Sequence, residues 1–164
     1  MIPKNNFLTD FQDEIYIREF HDTDLAYFKK MLLQFYTEID HSFSEENLDL
    51  IINNFLGKGI IVVAIDRNTD CVVGFLCAIE SNALYARGNF GVINELYILP
   101  EFRSKKIGKK LIDFLIEEAK NRNWTRLELD TPEIEKSEKT IHFYKKEGFV
   151  PIGYRMKKNI VNSI

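Results

Sequence analysis

The chain has 164 residues, of which 45% are hydrophobic, 29% charged and 13% aromatic, and its formal net charge is -3. These are the values of one globular domain with a substantial core, so residues 1–164 are expected to form a single domain. They exclude a disordered or collagen-like chain, and they argue against a dedicated nucleic-acid binder, which carries a basic surplus.

The first residues, "MIPKNNFLTDFQDE", lack the apolar stretch of a signal peptide, and no run approaches the ~18 apolar residues of a membrane span. A cytoplasmic protein with no membrane partner is expected. "EIYIREF" then alternates Ile15 and Ile17 with polar residues and predicts a first strand. Asp22 or Thr23 is the expected cap of a helix whose Leu25, Phe28, Leu32 and Phe35 recur at helical spacing. A second helix is expected to follow, with Ser42 and Glu45 spaced as a capping box. It carries Leu48, Ile51, Ile52 and Phe55 on one face and Gly57 as its stop.

From there the period becomes that of strands. "IIVVAID" and "CVVGFLCAIE" flank "RNTD", the composition of a hairpin turn. Cys71 and Cys77 both fall in the second run, where strand rise separates them by roughly 20 Å. That is beyond the reach of a disulfide without a bend, and two unpaired thiols fit a reducing compartment. "FGVINELYIL" predicts a strand ending at Pro100. The segment from Ile107 to Arg122 places Ile107, Leu111, Phe114, Leu115 and Ala119 along one helical stripe and leads to "TRLELD", another strand. A helix from about Ser137 to Glu147, stopped by Gly148, and a strand near "VPIGYRMKK" complete the chain. The predicted order is β-α-α-β-β-β-α-β-α-β: an α+β fold with a mixed, mostly antiparallel sheet and one strand-helix-strand crossover.

The crossover helix opens on a concentration of charge. "ILPEFRSKKIGKKLI" crowds five basic side chains between Arg103 and Lys110, at a helix start where cations oppose the helix dipole. Two readings are open: a solvated basic face, or a site for a polyphosphate held by unpaired helical N–H groups and nearby cations. The handover from strand to helix favours the second. Neither GxxxxGK[ST] nor GxGxxG occurs, so a mononucleotide P-loop and a dinucleotide fingerprint are set aside.

These residues resemble the GNAT superfamily of N-acetyltransferases, which use acetyl-CoA. "ELYILPEFRSKKIGKKLI" is similar to the family's pyrophosphate-binding motif, with Arg103 and Gly108 in its first and last fixed slots. "SEKTIHFYKKEGF" is similar to its second signature through Phe143, Tyr144, Gly148 and Phe149. The chain departs from the pattern at Lys106, where the family usually has glycine, at Ser137, where it often has Asn, and at Thr140, where it has Ala. The resemblance implies helices on both faces of the sheet, acetyl-CoA as acetyl donor, and an amine acceptor that is a small molecule or a peptide. It places the cofactor against Leu96, Tyr97 and Ile98, against Arg103, Ser104, Lys105, Lys106, Ile107, Gly108 and Lys109, and against Ser137 and Tyr144. Dimers are common in that family, which makes a homodimer the assembly to test.

Chemistry adds two roles. An amine attacks a thioester as the free base, yet one with a pKa near 10.4 is protonated at neutral pH, so a carboxylate or water must take its proton. Glu95 is the first candidate, with Asp130 and Glu128 as the others. The departing thiolate gains from a proton donor, and the resemblance assigns that part to Tyr144, with Phe143 beside it taking the buried side. In that family the first two helices border the acceptor, and here they carry Glu38, Asp40, Glu45, Glu46 and Asp49, an acidic rim that would attract a cationic amine. His21, His41 and His142 have no ligand partner at a metal-binding spacing, so no metal is expected, and Trp124 reads as core. A non-catalytic domain that binds coenzyme A as a sensor or assembly module would keep the anion site without the chemistry. An intact "FYKKEGF" favours the enzyme.

Overall fold

The apolar run of strand β2 (Gly59–Asp66) does not alternate with polar residues because both of its faces are covered. In the computed structural model, which describes residues 14–41, 44–131, 138–153 and 155–160, the even and odd residues of this strand enter different cores. Ile60, Val62 and Ala64 face one cluster, and Ile61, Val63 and Ile65 face the other.

Five strands run in the order β1-β2-β3-β4-β5: β1 (Ile15–Glu19), β2, β3 (Cys71–Ala83), β4 (Gly88–Ile98) and β5 (Leu127–Leu129). All neighbours are antiparallel except β4 and β5, which are parallel because helix α3 (Ile107–Asn121) crosses between them. Helices α1 (Leu25–Glu38) and α2 (Leu48–Leu56) cover one face through Phe28, Leu32, Leu48 and Ile52. On the other face α3 packs through Ile107, Leu111, Ile112 and Leu115, joined by Tyr144 of α4 (Glu138–Lys146). The α+β class, the mostly antiparallel sheet and the helices on both faces are as expected from the sequence.

Local chemistry differs from expectation at several joints. The cap of α1 is neither Asp22 nor Thr23, which lie in a 3-10 turn (Asp22–Asp24). Asp24 instead takes two hydrogen bonds from the Arg18 guanidinium, at 2.6 and 2.8 Å, and one from the His21 N–H at 2.8 Å. The residue before α2 is Asn47, with φ of 59°, and Ser42 of the expected capping box lies outside the described residues. Gly57 does end α2, yet its φ is -67°, so its N–H closes the last turn without a left-handed backbone. Asp66 builds the "RNTD" turn by accepting from the Asn68 N–H and the Thr69 hydroxyl, both at 3.0 Å. The strand expected near "VPIGYRMKK" is not formed at residues 150–153 or 155–158. Val150 and Ile152 stand exposed there, and Pro151 has no N–H to give to a ladder.

Trp124 is core, as expected, and it explains Gly91. A Cβ on Gly91 would sit 2.3 Å from the indole ring. Gly91→Ala is therefore expected to lower stability by about 2 to 3 kcal/mol through overpacking, read as a lower denaturant midpoint with unchanged slope.

Candidate active site

One extra residue in β4 shapes the site. Cys77 stands opposite Glu95 and Ala78 opposite Ile93, so Asn94 has no partner on β3 and forms a bulge. The bulge exchanges the two edges of the strand. Before it, the Gly91 N–H points to β5 and bonds to the Arg126 carbonyl at 3.0 Å; after it, the Leu99 N–H points to β3 and bonds to the Val73 carbonyl at 3.0 Å. By the two-residue alternation of a strand, Leu96 and Ile98 turn their main-chain groups to the β5 side and Tyr97 does not. Strand β5 meets only Gly91, Val92 and Ile93, so the edge at Leu96 and Ile98 is left without a strand partner among the described residues.

That edge runs straight into the basic loop. After a 3-10 turn (Pro100–Phe102), Ser104 and Lys106 adopt left-handed backbone with φ of 65° and 60°, and Ile107 begins α3. No side chain caps the start of α3, so its first-turn N–H groups at Ile107, Gly108 and Lys109 point out unclaimed by a cap. Gly108 serves packing: a Cβ there would meet the Phe143 ring at 2.9 Å. Lys106, in the slot where the resemblance leads one to expect glycine, carries the left-handed turn at an energetic cost.

The five cations of the loop do not act as one patch. Arg103 turns toward α1, where it donates to Glu38 at 2.7 Å and to the Ile98 carbonyl at 3.0 Å and lies over the Tyr97 ring. Tyr97 donates its hydroxyl to the same Glu38 at 2.9 Å. Lys109 pairs with Asp113 at 2.8 Å and reaches Glu147 at 3.8 Å, and Lys105 lies over the Phe102 ring. Ser137 lies outside the described residues.

The acid-base candidates sort by environment. Asp130 is paired with Arg155, and Glu128 is paired with Arg126 at 2.8 Å, so each already has an arginine partner. Glu95 is different: half-buried on the α1 face, it accepts from the Tyr36 hydroxyl at 3.0 Å and from the Cys77 thiol. Burial pushes its carboxyl above the ordinary carboxylate value, and the two hydrogen bonds offset only part of that rise. Burial, reinforced by Glu95, likewise pushes the Tyr36 phenol and the Cys77 thiol up. Sequence patterning did not single out Tyr36 or Cys77 as partners. Tyr36 sits four residues beyond Leu32 of the apolar stripe, and a hydroxyl at the end of a buried stripe was the available signal.

Tyr144 lies across the sheet from Glu95. It belongs to the α3-side cluster against which Leu96 and Ile98 pack, with Phe149 edge-on at 5.6 Å and Phe143 at 5.2 Å. Tyr144 is the buried member of the pair and Phe143 the half-buried one, the reverse of expectation, because Phe143 is the residue that covers Gly108. Burial pushes the Tyr144 phenol up to about 12. Base and acid candidates thus flank the open edge of β4 from opposite faces.

Tyr36→Phe checks the electrostatics of Glu95 directly. Removing a hydrogen bond that favours the carboxylate raises its pKa further. If Glu95 acts in its ionised form, the acid limb of the kcat/KM profile then shifts to higher pH, with the alkaline plateau nearly retained.

The site can be set beside known proteins. Residues 15–149 match the family model described as Acetyltransferase (GNAT) family. A stretch of 66 residues is 39% identical to an uncharacterized N-acetyltransferase of Archaeoglobus fulgidus, covering 40% of this chain and 43% of that protein, less than half of its length. The fold is that of a possible acetyltransferase from Clostridium difficile 630, with a TM-score of 0.77 and 20% identity over 92% of this chain and 100% of the other. It is also that of glucosamine-6-phosphate N-acetyltransferase from Arabidopsis thaliana, with a TM-score of 0.71 and 20% identity over 90% and 99% of the two chains. With the family model spanning the five strands and four α-helices of the described residues, the chain belongs to the acetyltransferase (GNAT) family of acyltransferases.

Proposed function

We propose that the protein moves an acetyl group from acetyl-CoA to a primary amine by direct attack, with both substrates bound at once. The observation that carries this reading is the stretch of β4 at Leu96 and Ile98 that has no strand partner among the described residues and leads into a helix start without a side-chain cap, flanked by Glu95 and Tyr144. The residues fit the donor. An extended amide-bearing arm can pair with Leu96 and Ile98 as another strand would, and a diphosphate suits the first-turn N–H groups of α3 beside Lys106. Acetyl-CoA supplies the acetyl group as a thioester. Glu95 takes the proton of the amine, and Tyr144 gives its proton to the departing sulfur. Arg103 contributes mainly through its backbone, since Glu38 holds its guanidinium.

The acceptor is a small amine or a peptide amine. The acidic rim is weaker than its residue count suggests, because Glu38 is occupied by Arg103 and Tyr97 and Asp49 is paired with Lys29 at 2.8 Å. Among the described residues no helix is long and apolar enough to cross a membrane. A cytoplasmic location is part of the proposal, supported by the two unpaired thiols of Cys71 and Cys77.

Calorimetry with coenzyme A and with pantetheine, followed by thiol release from acetyl-CoA over a panel of amines, tests the reading. Coenzyme A is expected to bind at least tenfold more tightly than pantetheine, which lacks the phosphates. Neutralising Lys106 should narrow that gap. No binding of coenzyme A would end the proposal, and binding without turnover of any amine would leave a sensor or assembly module in its place.

A further inference from the structure

We infer that the acceptor is a primary amine on a short apolar arm, received by the cavity between α1, α2 and the sheet while Glu95 meets its nitrogen. The inference rests on the proposed function and narrows it to a substrate class.

The cavity holds about 90 Å³, and its apolar lining includes Phe28, Leu32, Ile51, Ile52 and Phe55. Polar atoms reach it from Tyr36, Cys77 and Glu95, which cluster on one side, and the Tyr36 hydroxyl is already given to Glu95. One of its lining residues, Ile51, is 50% exposed, so the cavity lies against the solvent-facing side of α2. Glu95 is the unusual member of this lining. A carboxyl group is costly to bury, and those that stay buried are normally paired with a cation. Here the partners are two neutral donors, the phenol of Tyr36 and the thiol of Cys77, and no cation among the described residues. The position a cation would fill is on the cavity side, where an incoming amine would stand.

The rest of the cavity sets the arm. Its volume admits a chain of roughly three to six carbon atoms. A second ammonium carried into the aliphatic walls would find no counter-charge, because Glu95 is the one carboxylate in the lining and is already used by the reacting nitrogen. The nearest acids of the rim offer no substitute: Glu38 and Asp49 are held by Arg103 and Lys29. The site therefore selects an alkylamine over a diamine of equal length.

The test uses the full chain with linear amines from methylamine to hexylamine and with 1,4-diaminobutane. Binding to the protein saturated with coenzyme A is followed by saturation-transfer NMR, and turnover by thiol release from acetyl-CoA. We expect kcat/KM to rise about fourfold per added methylene until the cavity is full, then to level. Butylamine should exceed 1,4-diaminobutane at least tenfold. Ile51→Trp, at an exposed position, should shorten the best arm by one or two carbons while leaving coenzyme A affinity unchanged. A flat dependence on length, a preference for the diamine, or equal losses for every amine in Ile51→Trp overturns the inference. If coenzyme A binds and no alkylamine either binds or reacts, this inference fails while the proposed function stands; if coenzyme A does not bind, both fail.

Discussion

Glu95→Gln is expected to lower turnover at neutral pH by about 10²-fold or more, with much of the loss recovered as the pH rises. Glutamine has the shape of glutamate and still accepts from Tyr36, but it cannot take a proton from the attacking amine. The variant then waits on spontaneous deprotonation of an amine with pKa near 10.4, so its profile climbs steadily toward alkaline pH. The wild type reaches its plateau once Glu95 ionises, which burial delays to above the ordinary carboxylate value of 4.5. Stability must move the other way. A carboxyl whose folded pKa is raised binds its proton more tightly when folded, so the wild type loses stability as pH rises from the unfolded value through the folded one. Glutamine carries no such loss. The variant should therefore melt higher than wild type at pH 8 and nearly equal to it at pH 4, measured by Tm in both buffers. A slower enzyme that is more stable above neutrality separates a functional carboxylate from a structural one. Unchanged turnover would instead move the base to Asp130 or to water.

The pattern of the chain foretold the sheet well and its irregularities poorly, for a physical reason. Ile60 to Ile65 are apolar on both faces, so their continuous run marks a central strand directly. The stripe Ile107, Leu111, Leu115 and Ala119 is equally direct, because one helix face alone is buried. The bulge at Asn94 leaves no such mark. It is a property of the register between β3 and β4, and nothing in "FGVINELYIL" shows which residue will be left over. Yet that residue decides which main-chain groups face the open edge: those of Leu96 and Ile98 do, and those of Tyr97 do not. The segment after Gly148 shows the converse error. Val150 and Ile152 alternate as a strand would, but alternation describes a face and not a partner, and both side chains are exposed.

Partnerships far apart in sequence were equally hidden. Arg103 reads as one of five clustered cations, and only the fold brings Glu38, at the end of α1, to within 2.7 Å of it. The consequence is a division of labour within "RSKKIGKK". Arg103 fastens the loop to α1, Lys109 pairs with Asp113 within α3 and reaches Glu147 beyond it, and the uncapped N–H groups beside Lys106 are what is left for an anion. The same holds for Glu95, whose carboxyl is raised by burial and only partly brought back by hydrogen bonds from Cys77 on the neighbouring strand and from Tyr36, which only the fold brings to it.

Tyr144→Phe should slow turnover by about 10²-fold while leaving coenzyme A affinity and Tm close to wild type. The substitution removes one oxygen from a ring whose packing against Phe143 and Phe149 depends on its carbon face, so no cavity opens. What disappears, on the proposed mechanism, is the proton donor to the leaving sulfur. A thiolate with pKa near 8.5 can depart unassisted, which is why the expected loss is a hundredfold and not a complete one. With its own pKa pushed up to about 12, Tyr144 keeps its proton throughout the neutral range. The alkaline limb of the wild-type profile should therefore not belong to it, and Tyr144→Phe should lower kcat by a nearly constant factor from pH 6 to pH 9. A loss that shrank as the pH rose would mean that the residue donating the proton ionises in that range, which a phenol buried as Tyr144 is does not. A loss confined to KM would show that the hydroxyl serves substrate binding alone. Either result would take the proton-donor role away from Tyr144 and leave Glu95 as the one ionisable group acting at the edge of β4.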